Sequence, residues 1–305
     1  MPVEVFGANY AFLPKKEILR FGEIVRVAES AVELGVTKLR LTGGEPLLRK
    51  ELPELVKMLA QIEGVEDIAM TTNAALLDKF AADLKDNGLN RVTVSLDSLD
   101  DEVFAQMNGV GAKPAKVVAG IDAALAVGLG VKINAVIKKG VNDGDVESLV
   151  QFARERGIPV RFIEYMDTGN VNGWKLDEVV PSKVLLERLQ ATLPLVKKAG
   201  KAGETATRYH IEGEEGFEVG FISSVTAPFC SGCNRARLSA DGQIFTCLFA
   251  SQGFDVKPIL RDEDQMIDLT ENLRDLWLKR SDRYSELRSA GTKDLKKAEM
   301  SYLGG

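Results

Sequence analysis

Cys230, Cys233 and Cys247 are the three cysteines of the chain, and all fall within the run FCSGCNRARLSADGQIFTC. A C-x2-C pair with a third thiol after thirteen intervening residues has the spacing of a metal site. Three readings fit. A zinc ion takes the three sulfurs and needs a fourth ligand, a carboxylate or His210, the one histidine of the chain. A [4Fe–4S] cluster takes three thiolates and leaves one iron open to substrate or solvent. In the third reading these are small core residues with no ligand. Arg235 and Arg237 stand in the same run, and their guanidinium forks suit an anion such as phosphate; solvated arginines on an edge strand are the plain alternative. His210 reads as a solvent-facing residue of a polar strand or loop.

These residues need elements to hold them. In RARLSADGQIFTC, Ala-Asp-Gly is a hairpin turn between two β-like runs. Pairing Ser239 with Gln243 sets Arg237 opposite Phe245 and Arg235 opposite Cys247. Cys233, Arg235, Arg237 and Cys247 then share a face, which a one-residue slip would undo. Upstream, KKEILRFGEIVRVAESAVELG carries apolar residues at helical spacing and stops at Gly35. Strand-like runs follow at 38–42, 67–71, 91–97, 131–137 and 160–166, separated by helical sequence. Repeated βα units imply a parallel sheet.

Strand alternation separates an open sheet from a barrel, because successive side chains point to opposite faces. Leu39, Leu41, Ile68, Met70, Val92, Val94, Leu96, Val131, Ile133 and Ala135 form an apolar face for helices. Lys38, Arg40, Thr42, Thr71, Asn73, Thr93, Ser95, Asp97, Lys132, Asn134, Glu164 and Met166 form the other, which is polar. A doubly wound sheet buries both faces, and polar residues there would be costly. Five strands are too few to close an eight-stranded barrel. The expected fold is therefore α/β, a partial (β/α) barrel with a polar concave lining, followed by a C-terminal segment that carries the cysteines. The expected division is 1–205 for the barrel and 206–305 for the cysteine region.

The 305 residues are 45% hydrophobic and 28% charged, with a net charge of -6. They show no signal-peptide pattern and no apolar run that would span a bilayer, so a soluble cytoplasmic protein is expected, with no membrane partner. Net acidity argues against a nucleic-acid partner, because phosphate backbones recruit excess Lys and Arg. An odd cysteine count argues against a secreted disulfide framework.

KLRLTGGEPLLRKEL, TTNAALL, VSLDSLD, VKINAVIKKGVND, RFIEYMDTGNVNGW, the cysteine run and the terminal MSYLGG together resemble the GTP 3′,8-cyclase (MoaA) family, the radical SAM enzymes of molybdenum-cofactor biosynthesis. The resemblance extends over essentially the whole chain. It implies a partial barrel with two [4Fe–4S] clusters. One cleaves S-adenosylmethionine to a 5′-deoxyadenosyl radical that takes hydrogen from C3′ of GTP, and the carbon radical then attacks C8 of the guanine. The other holds the guanine at its open iron. By resemblance Cys230, Cys233 and Cys247 bind that second cluster. Thr42, Gly43, Gly44, Glu45, Ser95 and Met166 match positions that contact S-adenosylmethionine. Arg40, Thr71, Lys132, Arg235 and Arg237 match GTP contacts, and Gly304 and Gly305 match a tail that enters the active site, a catalytic role shared with Arg235 and Arg237. Further implied partners are an electron donor, a downstream cyclic pyranopterin monophosphate synthase and a second copy in a homodimer.

The family's first cluster is bound by a C-x3-C-x2-C motif whose last cysteine precedes a Met-Pro pair, and this sequence opens with MPVEVFG. The ligands of that cluster and the first barrel strand are thus expected upstream of Met1, and the chain as given is expected to be inactive alone. A non-catalytic, one-cluster GTP-binding module is the alternative. Ala74 stands where the family has Gly after TTN; if the position needs positive φ, Ala costs on the order of 1 kcal/mol.

Overall fold

The computed structural model describes residues 13–14, 16–169, 173–200, 203–262, 267–287, 297–299 and 302. Among the described residues the first helix, α1 (Phe21–Glu33), is opened by the Glu23 carboxylate, which accepts the Arg20 amide at 2.7 Å, and it ends before Gly35 at φ 94°. Five βα units follow. β1 (Lys38–Leu41), β2 (Asp67–Thr72), β3 (Arg91–Ser95), β4 (Gly130–Ile137) and β5 (Val160–Glu164) alternate with α2 (Leu52–Ala60), α3 (Leu77–Asp86), the pair α4 (Asp101–Asn108) and α5 (Pro114–Ala126), and α6 (Val146–Glu155). After α7 (Ser182–Gln190) the chain forms β6 (Leu195–Lys197), β7 (Thr207–Ile211) and β8 (Glu214–Ile222).

One eight-stranded sheet holds them in the order β1-β2-β3-β4-β5-β8-β7-β6. The first five strands are parallel and sit in chain order, and β8 adds a sixth parallel strand beside β5, with Val160 opposite Val219. β6 and β7 extend the edge antiparallel. The sheet therefore runs on through residues 207–222, across the expected division at 205/206.

Side-chain alternation follows the sequence pattern in β2, β3 and β4. Ile68, Met70, Val92, Val94, Leu96, Val131, Ile133 and Ala135 are all buried in one core with the helices. β5 departs from it. Asn134 pairs with Arg161 and Ile137 with Glu164, so Arg161 shares the polar face while Glu164 joins the helix side. The placement of Glu164 on the polar face is thus corrected. Its buried carboxylate is satisfied there by the amides of Ser182, Val225 and Thr226, at 2.8, 2.9 and 2.8 Å, and by the hydroxyls of Ser182 and Thr226.

The C-terminal third builds a second, smaller sheet of β9 (Arg237–Leu238), β10 (Gln243–Phe245) and β11 (Phe254–Asp255). Arg237 pairs with Phe245, and the Ser239 amide donates to Gln243 O at 2.8 Å, which is the register the turn demands. Helices α8 (Lys257–Leu260), α9 (Leu269–Leu278) and α10 (Tyr284–Leu287) follow. Leu19, Val27, Ile244, Val256, Ile259, Leu260, Leu269 and Leu273 form a separate core that seats this region on α1.

Candidate functional site

The carboxyl ends of β1 and β2 are tied together by one side chain. Glu45 accepts the Thr72 hydroxyl at 2.7 Å, the Leu47 amide at 3.1 Å and the Asn73 amide at 2.7 Å. Its carboxylate thus builds the loop that presents Thr42, Gly43 and Gly44. Gly43 lies at φ 143° with no atom within 4 Å of where a Cβ would stand, so a ligand has room to approach that backbone. Ala74, in the facing loop, has φ 59°. The condition under which alanine was expected to be costly at the TTN position is thus met, and the strain is held by the Ala74 amide donating to Thr72 Oγ1 at 2.9 Å.

The polar face of the sheet carries a strip of cations. Arg40 donates to the hydroxyls of Thr71 at 2.9 Å and Thr93 at 3.2 Å, so two of the expected substrate contacts, Arg40 and Thr71, meet directly. Thr93 in turn pairs with Lys132 across the strands. Arg91 is matched by Asp67, Nη2 to Oδ2 at 2.5 Å. Among the described residues, Arg40, Lys132 and Arg161 have no such carboxylate. Burial, and then the charges of Arg161, Arg91 and Arg40, push the Lys132 ammonium down to about 8. Burial also lowers Arg161, with Glu218 opposing. Cations that crowd and desolvate one another make a field suited to a polyanion. Ser95 lies on the same face opposite Asn134, whose Oδ1 is buried with no hydrogen-bond partner.

At the other site, Cys230 opens a 3-10 turn (Cys230–Gly232) and Cys247 follows β10 by two residues. Arg235 Nη2 donates to Cys233 Sγ at 3.1 Å and lies over the Phe229 ring, 5.2 Å from its centroid. Burial raises the Cys233 thiol, but the contacts from Arg235 outweigh it and leave the thiol below its ordinary value, where the thiolate form needed for ligation is favoured. Burial holds the Cys247 thiol above its ordinary value. Arg237 is lowered by burial and then by Arg235. Arg235 Nε is a second buried polar atom with no partner, and such an orphan asks for a group that is not protein.

Among the described residues no three Cys, His, Asp or Glu side chains converge tightly enough to hold a single metal ion. One tetrahedral zinc would draw its sulfurs to roughly 3.8 Å of one another, from Zn–S bonds near 2.3 Å. A cubane takes one thiolate at each iron corner and so accepts a wider spread. His210 lies in β7 between Val196 and Glu218, in a strand as expected, but it is half-buried and only partly solvent-facing. Its Nδ1 is buried and without a partner.

Met166 follows β5 in the 165–169 loop. The neighbouring Asp167 forms a buried ion pair with Lys297 Nζ at 2.9 Å and accepts the Tyr284 hydroxyl at 2.7 Å. Gly304 and Gly305 lie outside the described residues. Arg91 and Arg161 are members of the cationic strip that sequence reading missed. For Arg91 the signal was present, since it shares a phase with Thr93 and Ser95 and alternates with Val92 and Val94; for Arg161 it was not, since V-R-F-I-E puts an apolar and a charged residue on each phase.

No helix among the described residues is long and apolar enough to cross a membrane. Residues 6–153 match the family description "Radical SAM superfamily" and residues 158–286 match "Molybdenum Cofactor Synthesis C". The chain is 46% identical to the GTP 3′,8-cyclase of Acidothermus cellulolyticus, over 100% of this chain and 91% of that one. It is 44% identical to the GTP 3′,8-cyclase of Staphylococcus haemolyticus at the same coverages. The crystal structure of Streptococcus suis SuiB bound to S-adenosylmethionine superposes with a TM-score of 0.61 at 17% identity, covering 92% of this chain and 63% of that one. That likeness speaks to the fold alone.

Proposed function

The chain belongs to the GTP 3′,8-cyclase family, radical SAM enzymes of molybdenum-cofactor biosynthesis, and from that premise we propose how its residues share the conversion of GTP to (8S)-3′,8-cyclo-7,8-dihydroguanosine 5′-triphosphate. The polar sheet face is the concave lining of a partial barrel. Residues 1–205 supply its S-adenosylmethionine side and residues 206–305 its guanine side, one sheet being common to both. Arg40, Lys132 and Arg161 take the triphosphate, with the Thr71 hydroxyl beside them. Thr42, Gly43, Gly44, Ser95 and Met166 border S-adenosylmethionine, and Glu45 shapes the loop that meets it.

Cys230, Cys233 and Cys247 are the residues that would hold a [4Fe–4S] cluster, and Arg235 and Arg237 lie where they can meet substrate next to it. When bound, the cofactors of this family supply the radical and an open iron. The chain's own residues orient the nucleotide, neutralise its phosphates and keep water from the sheet face. Gly304 and Gly305 complete the active site. An electron donor, a downstream cyclic pyranopterin monophosphate synthase, a homodimeric state and a cytoplasmic location belong to the same reading.

The observation that carries this reading is that Arg40, Lys132 and Arg161 have no paired carboxylate among the described residues, on the face that also bears Ser95 and beside the GGEP loop. Calorimetric titration with GTP tests it. Arg161→Ala should weaken binding by roughly tenfold or more, since one charge-assisted phosphate contact is worth about 1.5–3 kcal/mol. Undiminished affinity in both Arg161→Ala and Lys132→Met would remove the triphosphate from this face. Zinc bound stoichiometrically at the cysteines, with no iron or sulfide after anaerobic reconstitution, would remove the cluster.

A further inference from the structure

We propose that residues 280–286 form a bracket that sets the spacing of Cys230, Cys233 and Cys247, with one side chain gripping the backbone or neighbour of each. The inference rests on reading those cysteines as ligands of an iron–sulfur cluster. Arg280 Nη1 donates to Cys233 O at 2.6 Å. Glu286 Oε1 accepts the amide of Ser231, next to Cys230, at 3.0 Å. Asp282 Oδ2 accepts the hydroxyl of Thr246, next to Cys247. Tyr284, between them, stacks on Phe249 with centroids 4.5 Å apart and planes at 18°, and the Phe249 amide donates back to Cys247 Sγ at 3.4 Å.

Local structure does not fix the cysteines. Cys230 opens a three-residue 3-10 turn and Cys233 follows it, and Cys247 lies past the end of a three-residue strand. Such short elements are marginal by themselves. A ligand set that must match a rigid cluster gains by being held in place beforehand, because the ordering entropy is then spent on folding and not on binding. The 280–286 segment provides that hold. Arg280 is 12% exposed, rests over the Trp277 ring at 4.8 Å and pairs with Asp282 at 3.5 Å, so the segment is braced internally. α10 packs directly on the Cys230–Gly232 turn. None of the four residues is a thiol, and their role is to position the ligands.

The test uses the full-length protein and two pairs of variants, Arg280→Met with Arg280→Lys and Glu286→Ala with Glu286→Gln. Lysine can still donate to a carbonyl and glutamine can still accept from an amide, so the second member of each pair should rescue. In metal-free protein, amide exchange across residues 229–234 should speed up roughly tenfold in the Met and Ala variants, as one lost charge-assisted bond implies, while β2–β4 exchange at the parental rate. After anaerobic reconstitution the same two variants should bind less iron and sulfide, counted above a triple Cys230→Ser, Cys233→Ser, Cys247→Ser control, and give an altered electron paramagnetic resonance signal. Parental exchange across 229–234 in both variants would overturn the bracket, as would failure of the conservative variants to rescue. A parent protein with no iron above the triple-serine control would instead sink the cluster reading, and the exchange arm would still decide the bracket.

Discussion

Lys132 couples the sheet face to pH in a way a surface lysine would not. Burial and the neighbouring arginines hold its ammonium at about 8 against an ordinary 10.5, so the free protein disfavours the charged form. Unliganded stability should therefore rise as pH climbs from about 8 toward 10.5, where the unfolded chain still binds the proton. A bound polyanion restores the proton, and GTP affinity should fall across the same window, by up to about one decade per pH unit. Urea melts and calorimetric titrations between about pH 7 and about pH 10 measure the two trends, and Lys132→Met should flatten both. At this scale Lys132, Arg40 and Thr71 were legible from strand alternation and motif. Arg161 was not, because V-R-F-I-E places an apolar and a charged residue on each phase of the strand, and two-residue periodicity cannot then choose a face. The pairing of Asn134 with Arg161 decides it.

The elements are held in place by a few buried joints. Glu164 ties β5 to the start of α7 and to the loop after β8 through three amides and two hydroxyls. Glu164→Ala should destabilise by roughly 2–4 kcal/mol, since several buried donors lose their acceptor, and urea melts together with exchange at Val225 and Thr226 would detect it. A sequence reading has no means to see this joint, because its partners lie 18 and about 60 residues away. The hairpin of β9 and β10 was legible for the opposite reason: its register is set by a three-residue turn and needs nothing distant. A second joint is the approach of α5 to the start of α3. A Cβ on Gly120 would lie 2.5 Å from Ala74 O and 3.2 Å from Leu77 Cβ. Gly120→Ala should cost about 1–3 kcal/mol through overpacking, read as a lowered melting temperature.

At the scale of the whole molecule, the C-terminal region is seated on α1 by a small apolar core and by Glu23, whose carboxylate meets Arg261 at 2.8 Å. The hydrogen bond from Arg261, then the Arg20 amide, hold the Glu23 carboxyl down at about 2 against the burial that would raise it. The ion pair thus contributes its full stability above the ordinary value of 4.5 and loses it as pH falls toward 2. Acid unfolding of Glu23→Gln should show a shallower pH dependence than the parent over that interval, followed by circular dichroism. The βα order and the general course of the chain were readable from alternating periodicities. The continuation of one sheet through β8 was not, because a parallel pairing of Val160 with Val219 leaves no local trace.

The junction of Asp167 with Lys297 has a practical consequence. Both side chains are nearly sealed from solvent, at 6% and 2% exposure, whereas the arginines and lysine of the sheet are the groups proposed to receive a nucleotide from solvent. Dissolved ions shield accessible charges within a few ångströms at molar strength and scarcely touch sealed ones. A concentrated sodium chloride wash should therefore strip phosphorylated ligands from the protein while residues 297–299 keep their seat. That gives a gentle route to nucleotide-free material that retains its native arrangement.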